Sequence, residues 1–452
     1  MNEKHHVVII GGGFGGLYAT KALKHAPVKI TLLDRHNYHL FQPLLYQVAT
    51  GFLSPANVDS PLRTELNKQK NAQVIMAEVM DFDVESHKVI LKDEKIAYDT
   101  LILAAGASHS YFGHPEWGKF APGLKSIDDA LDAQRRIFLA FENAERTADV
   151  DRRQMWLNFV IVGGGSTGVE LAGALGETIQ HTIPTDFRAI DPSHVQILLL
   201  EAGDRLLPAY PPGLSHKATR ALEKLGVTVR TGNLVMKVER EAVEVRIGEK
   251  FESITAGTIL WAAGVQALPL GHKLKDRTHT ELDKAGRLIV EPDLTLPGHP
   301  EIFVIGDLAN FSHQTGKPLP GLVQPAMQEG AYTAHLIQQR LEGGTLPAFH
   351  YHDKGMLATI GRTSAIADLG TIKFAGFFAK LIWIFVHLWY ITIFENKILV
   401  FMQWAWNFLS MSQRARIITG STALPSFSSA SDEPQLTTSS LEKIDEASYP
   451  TS

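Results

Sequence analysis

Cysteine is absent from the 452 residues of the chain. This absence excludes disulfide scaffolds, cysteine-ligated zinc sites, iron–sulfur clusters and redox-active CxxC pairs. We also expect no other metal site. Two-electron chemistry in such a chain therefore depends on a bound organic cofactor.

Strong charge of one sign and a long apolar leader are absent as well. The formal net charge is -5, and no basic arm is present, which argues against nucleic acid as a partner. The N-terminal segment has only the four apolar residues Val7–Ile10 before a run of glycines, whereas the core of a secretory signal needs about seven to fifteen. We therefore expect the main body to remain in the cytosol.

Short continuous apolar runs are present along the chain and predict an α/β fold. Val7–Ile10, Ile30–Leu33 and Phe159–Val162 are examples, and helical patterns lie between such runs. Continuous apolarity indicates strands that are buried on both faces, as in a parallel sheet covered by helices. The chain is also too long for one ordinary core. We predict two Rossmann-like dinucleotide-binding domains.

The first glycine turn has the sequence V-V-I-I-G-G-G-F-G-G and places Gly11, Gly13 and Gly16 in the G-x-G-x-x-G spacing. The first glycine permits a tight turn, the second lets the backbone approach a pyrophosphate, and the third allows close packing. The following helix N-terminus stabilises phosphates. Asp34 closes the next strand, where a carboxylate can accept hydrogen bonds from ribose hydroxyls. The pattern predicts dinucleotide binding, although a tight turn without a ligand is the alternative.

A second turn, F-V-I-V-G-G-G-S-T-G, repeats the spacing at Gly163, Gly165 and Gly168. The strand after it ends at Glu201. An acid at this place favours the free 2′-hydroxyl of NAD over the 2′-phosphate of NADP. Arg205 lies close enough along the chain to keep NADPH open as an alternative.

Glu170 follows the second turn, and we expect it in the first turn of the helix. It is either a carboxylate stabilised by the helix dipole or an acid that faces the gap between nicotinamide and flavin and handles protons there. The spacing alone does not decide between these roles.

The repeated unit predicts two domains, the second inserted in the first. We expect a first part at 1–115, the inserted domain at 116–287, and a return to the first domain at 288–371. The aromatic segment 372–420 follows, and the Ser/Thr/Glu-rich segment 421–452 is expected to be a disordered tail.

From about Val7 to Ile418 the chain resembles the type II NADH:quinone oxidoreductases, flavoproteins with two dinucleotide-binding domains. The stretches that carry the resemblance are H-N-Y-H-L-F-Q-P-L-L-Y-Q-V-A-T-G (36–51), L-I-L-A-A-G (101–106), I-L-W-A-A-G-V (259–265), I-F-V-I-G-D-L-A (302–309), V-Q-P-A-M-Q-E-G (323–330) and K-G-M-L-A-T-I-G (354–361).

The resemblance implies FAD at the first turn and NADH at the second. It also implies that Asp307 binds the flavin side chain, although an acid at a strand end can instead cap the next helix. The cofactor-binding residues that we assign are Gly11, Gly13, Phe14, Gly15, Gly16, Asp34, Arg35, Gly106, Gly163, Gly165, Gly168, Glu201, Gly264, Asp307 and Gln324.

A quinone pocket is implied in the same way. Gln324 and Gln328 share a helical face, and an amide can donate a hydrogen bond to a quinone oxygen. Together with Glu170, placed near the nicotinamide by the resemblance, they are the candidate catalytic residues. Two surface glutamines are the alternative. Tyr46 and Gln47 either line the pocket or pack on the flavin domain.

The C-terminal segment is apolar and aromatic, and the stretch Phe374–Phe394 is long enough to span a bilayer. However, Lys380 and His387 lie on one helical face, and each would be costly in the middle of a membrane. We therefore expect helices that lie in one leaflet, as the anchoring helices of the type II enzymes do. A dimer interface and a true span are the alternatives, and we interpret His387 as a packing residue.

The next helix is expected to carry a polar stripe opposite an apolar one. The polar residues Gln403, Asn407, Ser410 and Arg414 recur at helical spacing, and the apolar residues Trp404, Phe408 and Leu409 are expected on the opposite face.

The predicted activity is hydride transfer from NADH to FAD, followed by transfer of two electrons to a membrane quinone without ion pumping. The resemblance implies a homodimer on the cytoplasmic face of the membrane. Relatives that depend on a thiol are excluded. The remaining alternatives are a soluble NADH:ferredoxin or rubredoxin reductase and a nucleotide-binding redox sensor or scaffold without turnover.

Overall fold

The computed structural model describes residues 4–410 and 415–418, and two largely parallel sheets form its framework. The first sheet has six strands, and only its outermost pair is antiparallel. In spatial order they are Thr295–Leu296, His299–Val304, Thr100–Leu103, His6–Ile10, Lys29–Asp34 and Ala72–Met76. The second sheet has four parallel strands, in the order Val227–Thr231, Gln196–Glu201, Asn158–Val162 and Thr258–Trp261.

Burial along these strands confirms the α/β prediction. Three apolar runs that were expected to form covered strands lie within His6–Ile10, Lys29–Asp34 and Asn158–Val162, and their central residues are buried without alternation. Both faces of each sheet are therefore covered, as expected for parallel sheets.

Helices cover the sheets and connect the strands. Their bounds are Phe14–Ala22, Leu45–Ala49, Pro55–Val58, Leu62–Glu65, Ile127–Arg146, Val150–Trp156, Ser166–His181, Ile183–Asp186, Pro212–Lys224, Leu270–Thr278, Val323–Leu341, Phe377–Tyr390 and Phe394–Ser410. Short 3-10 turns are formed by Gln42–Leu44, Pro115–Lys119, Pro192–His194 and Gly306–Leu308.

Smaller sheets complete the fold. Three-stranded antiparallel sheets are formed by Asp81–Asp83, Lys88–Ile90 and Lys95–Ala97, by Asn233–Val238, Ala242–Ile247 and Lys250–Thr255, and by Met356–Ile360, Ser364–Asp368 and Lys373–Gly376. Paired strands are Tyr38–Leu40 with Asp59–Pro61, Ala107–His109 with Val265–Ala267, and Leu288–Ile289 with Ala309–Asn310.

The strand order shows how the chain passes between the sheets. It leaves the first sheet after Thr100–Leu103, builds the second sheet, and returns to the first with Thr295–Leu296 and His299–Val304. The domain boundaries at 115, 287 and 371 remain predictions.

The C-terminal stretch Phe374–Phe394 is interrupted rather than continuous. The strand Lys373–Gly376 is followed by the helix Phe377–Tyr390, and a new helix begins at Phe394. Within residues 4–410 and 415–418 we find no helix whose length and apolarity would carry it across a bilayer.

Two residues of the polar stripe of the last helix, Gln403 and Asn407, face the protein, whereas Ser410 is exposed. Asn407 is buried, its Nδ2 donates to the Phe52 carbonyl at 3.3 Å, and Gln403 donates to the Asn407 side chain at 3.2 Å. Trp404 also packs inward, with its ring 5.2 Å from that of Trp383. The prediction that Trp404 lies opposite the stripe is therefore wrong, because its indole N–H finds an acceptor within the protein.

Phe408 and Leu409 are exposed, as expected of an outward apolar face. Arg414 and the predicted tail 421–452 lie outside the described residues.

Candidate active site

The two glycine turns have the same local geometry. Gly11 has a φ of +105° and Gly163 a φ of +109°, a conformation that favours glycine. A Cβ at Gly16 would collide with the Gly11 carbonyl, and a Cβ at Gly168 would collide with the Gly163 carbonyl. The first and third glycines are therefore required by the turn and by the packing of the helix that follows it.

The acids that close the second strands also occupy equivalent positions. One Asp34 oxygen accepts the Gly12 N–H at 2.6 Å, and one Glu201 oxygen accepts the Gly164 N–H at 2.6 Å. The other Glu201 oxygen accepts the Gly203 N–H at 2.7 Å. Backbone donors thus hold both carboxylates at the mouths of the two turns.

A cavity of about 970 Å³ extends from the first turn towards the C-terminal helix Phe377–Tyr390. The predicted residues that line it are Gly11, Gly13, Phe14, Gly15, Asp34, Arg35, Tyr46, Gly106, Glu170, Asp307 and Gln324. Those outside its lining are Gly16, Gln47, Gly163, Gly165, Gly168, Glu201, Gly264 and Gln328.

Glu170 connects the second turn to this cavity. The helix begins at Ser166, so Glu170 lies beyond the first turn, where the dipole effect has largely fallen off. The expectation that it lies in the first turn is wrong. Burial raises the pKa of the Glu170 carboxyl to about 8, while the Thr359 N–H at 3.3 Å and Lys380 lower it. This direction is opposite to dipole stabilisation and favours the protonated form of the carboxyl.

Lys380 belongs to the same polar cluster, which was not predicted. Its Nζ donates to Thr359 Oγ1 at 2.7 Å and to the Gly361 carbonyl at 3.1 Å, and the residue is 7% exposed. Burial lowers the pKa of the ammonium to about 8, against the opposing effect of Glu177 and Glu170. The signal in the sequence was a lysine within an apolar segment. A buried ammonium is costly unless hydrogen-bond acceptors or opposite charges surround it.

Tyr46 and Gln47 have different surroundings. Tyr46 lines the cavity, and its hydroxyl accepts a hydrogen bond from Gln47 Nε2 at 2.9 Å. Gln47 Oε1 accepts the Trp404 indole N–H at 2.8 Å. Gln47 therefore connects the cavity wall to the last helix and does not itself face the cavity.

Gln324 and Gln328 both bind the loop at 352–355. Gln324 donates to the Gly355 carbonyl at 3.0 Å, and Gln328 exchanges two 3.0 Å hydrogen bonds with the His352 backbone. Neither is a free surface glutamine, but only Gln324 reaches the cavity. Gln324 Oε1 also accepts the Lys354 N–H at 3.3 Å, so both glutamines fix this loop with an amide oxygen and one amide N–H.

Asp307 lies in the turn Gly306–Leu308 at the cavity wall, and no helix begins there: the next one starts at Val323. The alternative that Asp307 caps the following helix is therefore wrong. Lys125, which was not predicted, places its Nζ 3.9 Å from the Asp307 carboxylate and also lines the cavity. Only the fold brings these two residues together.

Glu329 is a second buried acid beside this turn. It is 2% exposed, and its carboxyl accepts the Gly306 N–H at 2.5 Å. Burial raises the pKa of this carboxyl to about 8; the Gly306 N–H opposes the shift, and the nearby Asp307 charge adds to it. Glu329 thus fixes the backbone that presents Asp307.

Known proteins share both the sequence and the fold. The model of the pyridine nucleotide-disulphide oxidoreductase family matches residues 5–330. Two type II NADH:quinone oxidoreductases of Mycobacterium tuberculosis are 43% and 44% identical, and the alignments cover 93% and 92% of this chain and 92% and 90% of the relatives.

Among solved structures, NDH2 of Plasmodium falciparum in complex with NADH has a TM-score of 0.83 at 21% identity, covering 92% of this chain and 100% of the other. The sulfide:quinone oxidoreductase of Aquifex aeolicus has a TM-score of 0.68 at 18% identity, covering 85% and 90%. These likenesses concern the fold. On the sequence matches, this chain belongs to the type II NADH:quinone oxidoreductases, within the pyridine nucleotide-disulphide oxidoreductase family.

Proposed function

We propose that the protein binds FAD at the first glycine turn, oxidises NADH bound at the second, and reduces a quinone supplied by the membrane. The observation that carries this proposal is the position of Glu170. It projects from the helix of the second turn into the cavity that begins at the first turn. One cavity can therefore serve both half-reactions.

The residues of the first turn fit a dinucleotide. A Cβ at Gly13 would meet no atom within 4 Å, so the backbone there is open to a pyrophosphate beside the N-terminus of helix Phe14–Ala22. Asp34 would hold ribose hydroxyls, and Asp307 would hold the flavin side chain with Lys125 balancing its charge. Bound FAD would accept a hydride from NADH and pass two electrons to the quinone.

The second turn favours NADH over NADPH. Glu201 is held by two backbone N–H donors at the place of the adenosine ribose. Arg205, the residue that left NADPH open, donates to the Pro208 carbonyl at 3.1 Å and lies 3.8 Å from Asp204. These local contacts and the nearby Glu201 charge both favour NADH.

Glu170 supplies a proton that quinone reduction consumes. The Thr359 N–H donates to Glu170 Oε1, which leaves Oε2 as the oxygen that can carry and donate the proton. Lys380 shares Thr359 with Glu170, and its positive charge favours release of the Glu170 proton.

The outward face of the two C-terminal helices is the surface proposed to contact the cytoplasmic side of the membrane. Phe378, Trp389 and Leu409 are 75%, 67% and 78% exposed, and aromatic side chains favour the lipid–water interface. Val386 and His387, on the inward side of the same helix Phe377–Tyr390, line the cavity. A quinone dissolved in lipid would thus reach the site along this helix. The homodimer implied by the resemblance stays a prediction.

A ferredoxin or rubredoxin reductase has less support, because a soluble acceptor would not explain this exposed aromatic face. A sensor without turnover has less support as well, because the relatives that are 43% and 44% identical are NADH:quinone oxidoreductases.

The test is to purify the yellow protein and compare NADH oxidation with a short-chain quinone, with ferredoxin, and with no acceptor. Preference for the quinone is expected. Bleaching by NADH without turnover of any acceptor would support the sensor instead, and a colourless protein unable to take up FAD would refute the proposal.

Membrane contact needs a separate test by vesicle sedimentation. Phe385→Glu combined with Trp389→Glu should release the protein from lipid vesicles. Phe251→Glu is the matched control, because Phe251 is equally exposed on the three-stranded sheet 233–255. Equal sedimentation of both variants and the wild type would refute the assignment of this face.

A further inference from the structure

His387 lies where the inward side of the helix Phe377–Tyr390 meets the cavity. Its ring stacks on that of Trp383 with centroids 4.0 Å apart, and the Phe41 ring meets it edge-on at 6.3 Å. The side chain is therefore held between two aromatic rings at the cavity wall. The expectation that it packs against aromatic neighbours agrees with these contacts but does not describe its polar atoms.

One hydrogen bond determines the arrangement of protons on the ring. Nδ1 lies 2.7 Å from the Trp383 carbonyl. A carbonyl oxygen can only accept, so Nδ1 must carry a hydrogen. Burial lowers the pKa of the imidazole to about 4, and the positive charge of Lys380 adds to this against the Trp383 hydrogen bond. The ring is neutral near pH 7, and Nε2 carries a lone pair in place of a hydrogen.

Nε2 is the ring atom available to a ligand. Because Nδ1 is bound to the backbone of its own helix, Nε2 points away from that backbone. Among residues 4–410 and 415–418 the only hydrogen bond that we find for the His387 ring is the one on Nδ1. An acceptor atom is thus presented on an otherwise aromatic part of the cavity wall.

We propose that His387 Nε2 accepts a hydrogen bond from a hydroxyl of the quinol product. This inference rests on the proposed quinone site. A quinone has only carbonyl oxygens, which accept hydrogen bonds and gain nothing from a second acceptor. A quinol has hydroxyls, which can donate. His387 therefore distinguishes the reduced from the oxidised form of the substrate, and it does so as a hydrogen-bond acceptor without taking the proton.

The expected effect is moderate. One neutral hydrogen bond contributes about 1 kcal/mol net, which corresponds to about a fivefold change in an equilibrium constant. Loss of Nε2 should therefore weaken quinol binding about fivefold and leave quinone binding nearly unchanged.

The experiment measures product inhibition by a short-chain quinol and KM for the matching quinone in the full-length flavoprotein. His387→Phe keeps the stacking on Trp383 and removes both nitrogens. His387→Asn keeps an N–H near the Trp383 carbonyl but does not reach the place of Nε2. His387→Gln reaches that place with an amide oxygen. His335→Asn, an exposed histidine on helix Val323–Leu341, is the control.

We expect the inhibition constant of the quinol to rise about fivefold in the Phe and Asn variants, with a nearly unchanged KM for quinone and recovery in the Gln variant. An unchanged inhibition constant in both variants would overturn the inference. A parallel rise of KM and inhibition constant would also overturn it, because the residue would then only shape the cavity. If the wild type itself fails to reduce quinones, the proposed function fails instead.

Discussion

The Gln47 side-chain oxygen accepts the indole N–H of Trp404 at 2.8 Å, which joins the cavity wall to the last described helix. The same Gln47 donates to the Tyr46 hydroxyl at 2.9 Å. Gln47 and Trp404 thus contribute polar groups that would be costly to leave without a hydrogen-bond partner in the protein interior.

Gln47→Leu should therefore destabilise the packing of the last helix. We expect a loss of roughly 1–3 kcal/mol, because the Trp404 N–H loses its acceptor and Tyr46 loses its donor. Thermal unfolding of Gln47→Leu, Trp404→Phe and the double variant gives the coupling energy. Strict additivity of the two single effects would contradict the hydrogen bond as the cause.

Lys380→Met should shift the pH dependence of quinone reduction. Lys380 lowers the pKa of Glu170, so its removal should raise that pKa above its present value of about 8. If protonated Glu170 is the form that donates, the rate falls as pH rises through this pKa, and the variant should lose activity at higher pH than the wild type does. The pH profile of flavin reoxidation by quinone measures this.

Lys380→Arg is the control for the preceding change, since it keeps the charge. In the pH profile of flavin reoxidation, the pH at which the rate of Lys380→Arg falls should stay near that of the wild type. A shift to lower pH in Lys380→Met would contradict the assignment of Glu170 as the donor.

Glu201→Ala should weaken NADH binding by about tenfold or more, since two ribose hydroxyls lose a charged acceptor. The preference for NADH over NADPH should narrow, because the repulsion of a 2′-phosphate is also removed. Michaelis constants for both nucleotides test this, and unchanged values would remove Glu201 from the ribose site.

Glu329→Gln should alter stability in a pH-dependent way. The folded pKa of about 8 exceeds the ordinary value of 4.5. Between these values the unfolded chain ionises first, so stability is full below about pH 4.5, falls by up to about 1.4 kcal/mol per pH unit as pH rises, and levels off above about pH 8.

The amide of Glu329→Gln does not titrate. The melting temperature of the variant relative to the wild type should therefore increase from about pH 6 to about pH 8. A constant difference over this range would show that the wild-type Glu329 carboxyl does not carry the raised pKa.

Local features of the site were predictable from the sequence, whereas long-range contacts were not. The glycine spacing and the acids Asp34 and Glu201 follow from turn geometry within a few tens of residues. Lys380 and Glu170 are connected through Thr359, which hydrogen-bonds to both of them. No local sequence pattern predicts this long-range contact.

The inward position of Trp404 was missed for the same reason. Helical periodicity groups residues by face, but it cannot tell which face the rest of the protein covers. Gln328 and Gln324 both bind the loop at 352–355, yet only Gln324 lines the cavity, and the shared helical spacing did not indicate that difference.

The most direct test of the shared cavity is an anaerobic two-step experiment with Glu170→Gln and the wild type. NADH should bleach the flavin in both proteins at similar rates. A short-chain quinone should then restore the colour quickly in the wild type and at least about tenfold more slowly in the variant, because the proton donor is lost. Equal reoxidation rates, or bleaching that slows as much as reoxidation does, would contradict a role for Glu170 in the quinone half-reaction.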